Sequence, residues 1–333
     1  MTDNLVMVTG GAGFIGSNIV RALNARGEDN IILVDDLSDG NKSKKSNNLS
    51  DLKISEYIDY KDLLTNLTNP SYDYLKNISC VFHQGACTDT TEWDGKYMME
   101  SNCLYSKTLL DWALAHQIHF IYASSASVYG TGNSFIEERR FESPINMYAY
   151  SKFLFDQYVR QKIQRHNRVT TNIIGLRYFN VYGFGESHKD HMTSPMHHFY
   201  HQFLDDGKIK LFKGSDGYED GEQRRDYIYI DDVVRVNLWF FDNLMGQISG
   251  IYNTGTGVSE TFNTIAENII KYFGSGTIKY IDFPEKLIGS YQSYTQADIS
   301  ILRECGYVEN FVDLKKGIKL YLDRLEEARE NSS

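Results

Sequence analysis

The run Leu5-Val6-Met7-Val8, followed by Thr9-Gly10-Gly11-Ala12-Gly13-Phe14-Ile15-Gly16, leaves this 333-residue chain few folds to choose from. Successive apolar residues read as a buried strand, the glycines as a tight turn, and Phe14 to Ala25 as the helix that follows. Gly10 and Gly13 let the turn tighten and the backbone approach a pyrophosphate. Gly16 allows close helix packing, and the helix N-terminus supplies N–H groups and partial positive charge. The lysine and Ser/Thr of a triphosphate-binding loop are missing. Asp35 lies about 20 residues on, at the end of the next apolar run, where a carboxylate can accept both ribose hydroxyls of an adenosine. A bound dinucleotide is therefore expected, NADP or NAD. Asp36 adds a carboxylate that repels a 2′-phosphate, whereas Lys42, Lys44 and Lys45 just beyond can neutralise one.

The pattern continues. Strands are expected at Leu5 to Thr9, Ile31 to Asp35, Cys80 to His83, Phe120 to Ser124 and Asn172 to Arg177. Helical spacing lies between them at Phe14 to Ala25, Glu92 to His116 and Tyr148 to Arg165, for example Leu110, Ala113 and Leu114. Such alternation predicts a doubly wound α/β fold, a parallel sheet covered by helices in the Rossmann manner. Ser38 to Ser50, rich in Lys, Asn and Ser, reads as a solvated loop. After about Asn180 the alternation lapses, which suggests a smaller α/β substrate domain. The division expected is 1–179, rejoined by about 226–258, against 180–225 and about 259–333. A terminal amphipathic helix carries Leu314, Ile318, Tyr321 and Leu325 on one face.

Charge and composition exclude several function classes. With 34 Lys plus Arg against 44 Asp plus Glu, the net charge is −10, which opposes a nucleic-acid partner, because that affinity rests on cations displacing counterions. No apolar run reaches the ~18 to 20 residues of a membrane span, and no basic region precedes a long apolar stretch, so a cytoplasmic protein with no membrane partner is expected. Cys80, Cys87, Cys103 and Cys305 form no CxxC pair, and neither a disulfide nor a structural metal is expected. His188, His191, His197, His198 and His201 crowd together, but no HExxH or Cys/Asp pattern accompanies them.

The second chemical signal is Tyr148-Ala-Tyr-Ser-Lys152 at the start of a helix. Four residues make about one turn, so Tyr148 and Lys152 share a face, and a cation beside a phenol is expected to lower its pKa toward acid/base work. Ser125, at the carboxyl end of the preceding strand, can hydrogen-bond the same reacting oxygen.

Together GGAGFIG, SSASVYG at Ser124 to Gly130, YAYSK, RYFNVYG at Arg177 to Gly183 and RRDYIYIDDV at Arg224 to Val233 resemble the extended short-chain dehydrogenase/reductases, over essentially the whole chain. Within them Gln84 to Met99, the helix YSKFLFDQYVRQ and Tyr291 to Asp298 look like the ADP-L-glycero-D-manno-heptose 6-epimerases. That resemblance implies inversion at C6 of an ADP-heptose substrate through a transient ketone with tightly bound NADP, for lipopolysaccharide core, in a homo-oligomer of five subunits. It implies Tyr148 and Lys189 as two acid/base residues, with Ser125 assisting. Lys152 would hold the nicotinamide ribose. Further cofactor contacts would be Gly10, Gly13, Phe14, Ile15, Gly16, Asp35, Asp36, Lys42, Gln84, Gly85, Ala86, Cys87, Thr88, Ser101, Asn102, Val181 and Lys189. Substrate contacts would be Asn180, His191, His198, Phe212, Lys213, Gly214, Ser215, Arg225 and Tyr291. An apparent insertion at Gly217 to Gln223 leaves either Arg224 or Arg225 for a phosphate role, to which the planar guanidinium fork is suited.

Overall fold

The computed structural model describes residues 4–37, 42–165, 171–284 and 292–331. Twelve strands appear among them: β1 Leu5–Thr9, β2 Ile31–Asp35, β3 Glu56–Asp59, β4 Ile78–His83, β5 His119–Ser125, β6 Ile173–Tyr178, β7 Asn180–Tyr182, β8 Lys208–Phe212, β9 Arg224–Tyr229, β10 Gly250–Thr254, β11 Ser259–Thr261 and β12 Thr277–Ile281. By contact density the chain divides into two units, Met1–Val128 with Pro144–Arg177 and Val234–Tyr252, and Tyr129–Ser143 with Tyr178–Val233 and Asn253–Ser333.

The first unit is built on a seven-stranded sheet in the order β10-β6-β5-β4-β1-β2-β3. Neighbours β1 and β2, β1 and β4, β2 and β3, and β4 and β5 all run parallel. This is the doubly wound α/β arrangement that the strand spacing predicts. Strands covered on both faces need apolar residues at every position, and β2 (IILVD) is buried throughout. One face carries Met7, Ile32, Val34, Val81, Phe120 and Tyr122, packed on Leu109, Leu110, Phe155 and Val159 of the flanking helices. Strand order reverses between β1 and β4, and in open α/β sheets ligands bind at the carboxyl ends beside such a reversal.

Two local expectations are corrected. The Ser38 to Ser50 stretch is not simply a solvated loop, because Lys42–Asn47 is helical and Asn48 is buried, its amide donating to the Ala12 carbonyl at 3.2 Å. The glycine turn needs that donor, since buried backbone oxygens must find partners. The segment Glu92 to His116 is not one regular helix. It starts at Gly95, capped by the Asp94 side chain, widens into a π-turn over Met99–Leu104, and resumes as Tyr105–Ala115.

The second unit holds a three-stranded sheet, β11-β9-β7, and the parallel pair β12-β8. The C-terminal helix Leu314–Asn331 buries Leu314, Ile318, Tyr321 and Leu322, while Leu325 is half-buried. Among the described residues no helix is long and apolar enough to cross a membrane.

Candidate active site

In the first unit the glycine turn closes against the β4 exit. Gly10 has φ +66°, a region that costs an L side chain ~1 to 2 kcal/mol, and a Cβ there would stand 2.6 Å from the Gly85 nitrogen. A Cβ on Gly16 would sit 2.1 Å from the Gly10 carbonyl oxygen. Gly13 is the N-cap of the Phe14–Ala25 helix, and no side chain caps it, so the first-turn N–H groups are presented to the turn. Phe14 is buried and Ile15 half-buried behind them. Beside the turn lies a cavity of about 230 Å³ lined by Gly10, Asp35, Asp36, Lys45, Cys87 and Ser101, among others. A glycine cradle that any Cβ would fill, an uncapped helix start and a carboxylate at the end of β2 suit a dinucleotide.

Asp35 is already held by protein donors. Oδ2 accepts the Ala12 N–H at 2.8 Å, and Oδ1 accepts the Asp36 N–H at 2.7 Å and the Lys45 ammonium at 3.1 Å. Lys45 thus lies on the cavity wall. The Lys42 side chain and Tyr291 lie outside the described residues. On the opposite wall Gln84 and Gly85 are fixed by Thr9, whose carbonyl and hydroxyl accept their N–H groups at 3.0 and 3.2 Å. Cys87 is clamped by the Asn102 side chain: the Cys87 N–H donates to Asn102 Oδ1 at 2.8 Å, and Asn102 Nδ2 donates back to the Cys87 carbonyl at 2.9 Å. Asn102 stands on the π-turn, a deformation that recurs at functional sites. Ala86 is half-buried on the cavity wall, whereas Thr88 is exposed and outside it. Tyr60, Tyr97 and Tyr105 also line the cavity; no motif marks them, and their aromatic type next to the β2 and β4 exits is the only signal they offered.

The Met147–Arg165 helix brings Tyr148 and Lys152 to the end of β5. The Tyr148 phenol shares a hydrogen bond with the Ser125 hydroxyl, and the Lys152 ammonium donates to the Ala123 carbonyl at 2.8 Å. Burial pushes the Lys152 ammonium down to about 8, against Asp156, whose carboxylate holds it up. The expected lowering of the Tyr148 phenol is corrected. Burial dominates and raises it, and the Ser125 hydroxyl, with the Lys152 cation turned to Ala123, draws it only part of the way back.

The second unit gathers the remaining candidates. Asn180 on β7 donates to the Asp226 carbonyl at 3.0 Å and to the Thr295 hydroxyl at 3.1 Å, and Val181 beside it is half-buried. Lys189 lies in the 3-10 turn Ser187–Met192, half-buried, its ammonium pushed below the ordinary lysine range by burial and held up in part by Glu186. Glu186 is fully buried and accepts from the Ser194 hydroxyl at 2.7 Å, which fixes this turn to the start of the Pro195–Asp206 helix. His191 is exposed. His198 meets the Thr193 hydroxyl at 3.1 Å and, with Phe199, Gln202, Phe212, Gln223 and Phe262, lines a cavity of about 390 Å³.

After Phe212 the loop turns back on itself. Gly214 donates to Asp220 at 2.8 Å, and the Gln223 amide donates to the Lys213 carbonyl and the Ser215 hydroxyl, both at 3.1 Å. The apparent insertion therefore braces Lys213 to Ser215. The Lys213 ammonium itself pairs with Asp282 at 2.7 Å. Arg224 is spent on Ser259, donating to its hydroxyl at 3.1 Å and its carbonyl at 2.7 Å, whereas Arg225 is buried and gives one N–H to the Arg224 carbonyl at 3.1 Å. Among the described residues no group of three metal-ligating side chains occurs; His197 and His201 bring their Nε2 atoms to 3.3 Å.

This geometry has close counterparts. Residues 6–255 match the NAD dependent epimerase/dehydratase family. The ADP-L-glycero-D-manno-heptose-6-epimerase of Alkalilimnicola ehrlichii is 49% identical over 324 residues, 97% of this chain and 98% of that protein. The crystal structure of the Helicobacter pylori ADP-L-glycero-D-manno-heptose-6-epimerase superimposes with a TM-score of 0.79 at 30% identity, covering 97% of each chain. A UDP-N-acetylglucosamine 4-epimerase from Methanobrevibacter ruminantium, solved with UDP-N-acetylmuramic acid, gives 0.80 at 25% identity over 98% of this chain and 100% of that one. The chain belongs to the NAD-dependent epimerase/dehydratase family and, within it, to the ADP-L-glycero-D-manno-heptose-6-epimerases.

Proposed function

We propose that this protein inverts C6 of the heptose in ADP-D-glycero-D-manno-heptose, giving the L-glycero epimer through a transient 6-ketone. The observation that carries the reading is the presence, in a member of this family, of two proton-transfer groups of different kinds, Tyr148 and Lys189, each half-buried and shifted by that burial toward its neutral form. A nicotinamide dinucleotide bound in the glycine cradle would supply the hydride acceptor, and then the hydride donor, for C6. The chain's residues do the rest. Tyr148, steadied by Ser125, exchanges the proton of the C6 oxygen in one orientation of the sugar. Lys189 serves the opposite orientation, because one rigid side chain cannot reach the oxygen in both. Lys152 holds the nicotinamide ribose. Asn180, His191, His198, Tyr291 and the Phe212 to Ser215 loop contact the nucleotide sugar, and Arg225 takes the diphosphate, since the Arg224 guanidinium is bound to Ser259.

The cofactor is NADP in this reading. Both oxygens of Asp35 already accept protein donors, and the Lys45 ammonium beside them supplies a charge that suits a 2′-phosphate. Lys42 is a second candidate for that phosphate. Resemblance also supports a cytoplasmic homo-oligomer of five subunits, which light scattering on the purified protein tests. Function is tested by incubation with ADP-D-glycero-D-manno-heptose and, separately, UDP-galactose, with products followed by NMR. Inversion of the heptose alone is expected, and turnover of UDP-galactose alone refutes the assignment. Denaturing the protein and weighing the released nucleotide decides between NADP and NAD.

A further inference from the structure

We infer that Asp156 is a positioning residue for the reaction: its carboxylate fastens the helix bearing Tyr148 and Lys152 to the strand bearing Ser125 and places a negative charge one helical turn from the Lys152 ammonium. This rests on the active-site reading above. Asp156 lies four residues beyond Lys152, one turn along the same helix face, and has no exposure to solvent. Oδ1 accepts the Tyr122 hydroxyl at 2.8 Å, and Oδ2 accepts the Ser124 hydroxyl at 2.9 Å. Those two residues flank Ala123, whose carbonyl receives the Lys152 ammonium, and Ser124 immediately precedes Ser125. From β6 the fully buried Arg177 completes the cluster, its Nε and Nη2 donating to Oδ2 at 2.9 and 2.8 Å. One carboxylate thus ties together the two elements whose spacing sets the Ser125–Tyr148 hydrogen bond.

The charges around Lys152 give Asp156 its second effect. Cys87 faces Lys152 and, after Asp156, is the second group that holds its ammonium up. His83, held between the Thr9 and Ser106 hydroxyls, is pushed down to about 3 by burial and by Lys152 itself, so it is neutral near pH 7. Arg177 and Arg160 are the cations of this cluster, and both act on the Tyr122 hydroxyl. Asp156 is the carboxylate that opposes the desolvation of Lys152. A buried carboxylate in a helix that packs on the sheet is ordinarily read as a fold-stabilising ion pair. Its place one turn from Lys152, with its donors on both sides of the lysine's carbonyl acceptor, links it to the chemistry.

The test titrates Lys152 directly, by NMR of protein labelled with 13Cε-lysine, the resonance assigned with Lys152→Arg. In Asp156→Asn the midpoint should fall by at least about one pH unit, the alkaline limb of the turnover profile should fall with it, and Asp156→Glu should restore part of both. If Asp156→Asn does not fold because Arg177 loses this carboxylate, Asp156→Asn with Arg177→Met removes both charges, and the midpoint should again fall. A midpoint unchanged in whichever variant folds, with only the melting temperature lowered, overturns the inference. Wild-type turnover by Lys152→Met overturns the active-site reading instead, so the two failures are told apart.

Discussion

Gly10→Ala and Gly27→Ala together separate two costs that are usually merged. Both glycines are left-handed, at φ +66° and +81°, so each alanine incurs the backbone penalty of ~1 to 2 kcal/mol. A Cβ on Gly27 meets nothing within 4 Å, and its cost should end there. On Gly10 the new atom meets three backbone atoms, the Gly85 nitrogen at 2.6 Å, its Cα at 2.7 Å and the Gln84 carbonyl carbon at 2.8 Å. None of these can swing aside as a side-chain tip would, so an overpacking cost of ~1 to 3 kcal/mol adds, for a total of about 2 to 5 kcal/mol. Against a typical stability of ~5 to 15 kcal/mol the protein should still fold. Urea denaturation of the apoprotein, with its m-value, measures each loss, and cofactor fluorescence titration measures binding. Gly10→Ala should lose at least ~1 kcal/mol more than Gly27→Ala, and it alone should weaken the dinucleotide. Equal stability losses would refute the claim that the turn and the β4 exit are packed backbone to backbone.

Three further outcomes are expected. Tyr148→Phe and Lys189→Met should each lower turnover by about 10² to 10⁴-fold with the dinucleotide still bound, as stopped turnover and absorbance of the purified protein will report. Because burial lowers the Lys189 ammonium, its neutral form is present from a lower pH than for an ordinary lysine; activity needing that form should fall as pH drops through the lowered value, and Lys189→Arg should lose that limb. Lys45→Glu should weaken NADP about 10-fold or more while leaving NAD nearly unchanged, measured by calorimetry, since a charge-assisted contact contributes ~1.5 to 3 kcal/mol. Arg225→Lys should raise KM for the nucleotide sugar, whereas Arg224→Lys should chiefly lower the melting temperature, because its partners are the Ser259 hydroxyl and carbonyl.

What the sequence made legible were features whose cause is local. Leu5–Thr9, the glycine turn and Ile31–Asp35 are apolar because both faces are covered, and the tight turn requires glycine where it stands. The strand β3, Glu56–Asp59, gave no such signal: of its four residues only Ile58 is buried, since it lies at the sheet's edge. The Tyr148–Lys152 spacing could be read from helix geometry, but the sign of the phenol's shift could not, because burial depends on everything packed around it. Asp156 was silent for the same reason. An aspartate between apolar residues on a helix reads as solvent-facing, and only Tyr122, Ser124 and Arg177, brought in from β5 and β6, turn it into a buried hub. Lys45 sat among several equivalent lysines until the Lys42–Asn47 helix aimed it at Asp35.

The widened turn at Met99–Leu104 has a consequence for how this enzyme can change over time. Removing one residue from it would let the coil run on at its usual pitch, so the cut is gentle to folding. The same cut would shift the residues of the widened turn itself and unhook Asn102 from the main chain of Cys87. Sturdiness and catalysis therefore pull in opposite directions at this one place, and an unselected lineage would be expected to lose the extra residue first.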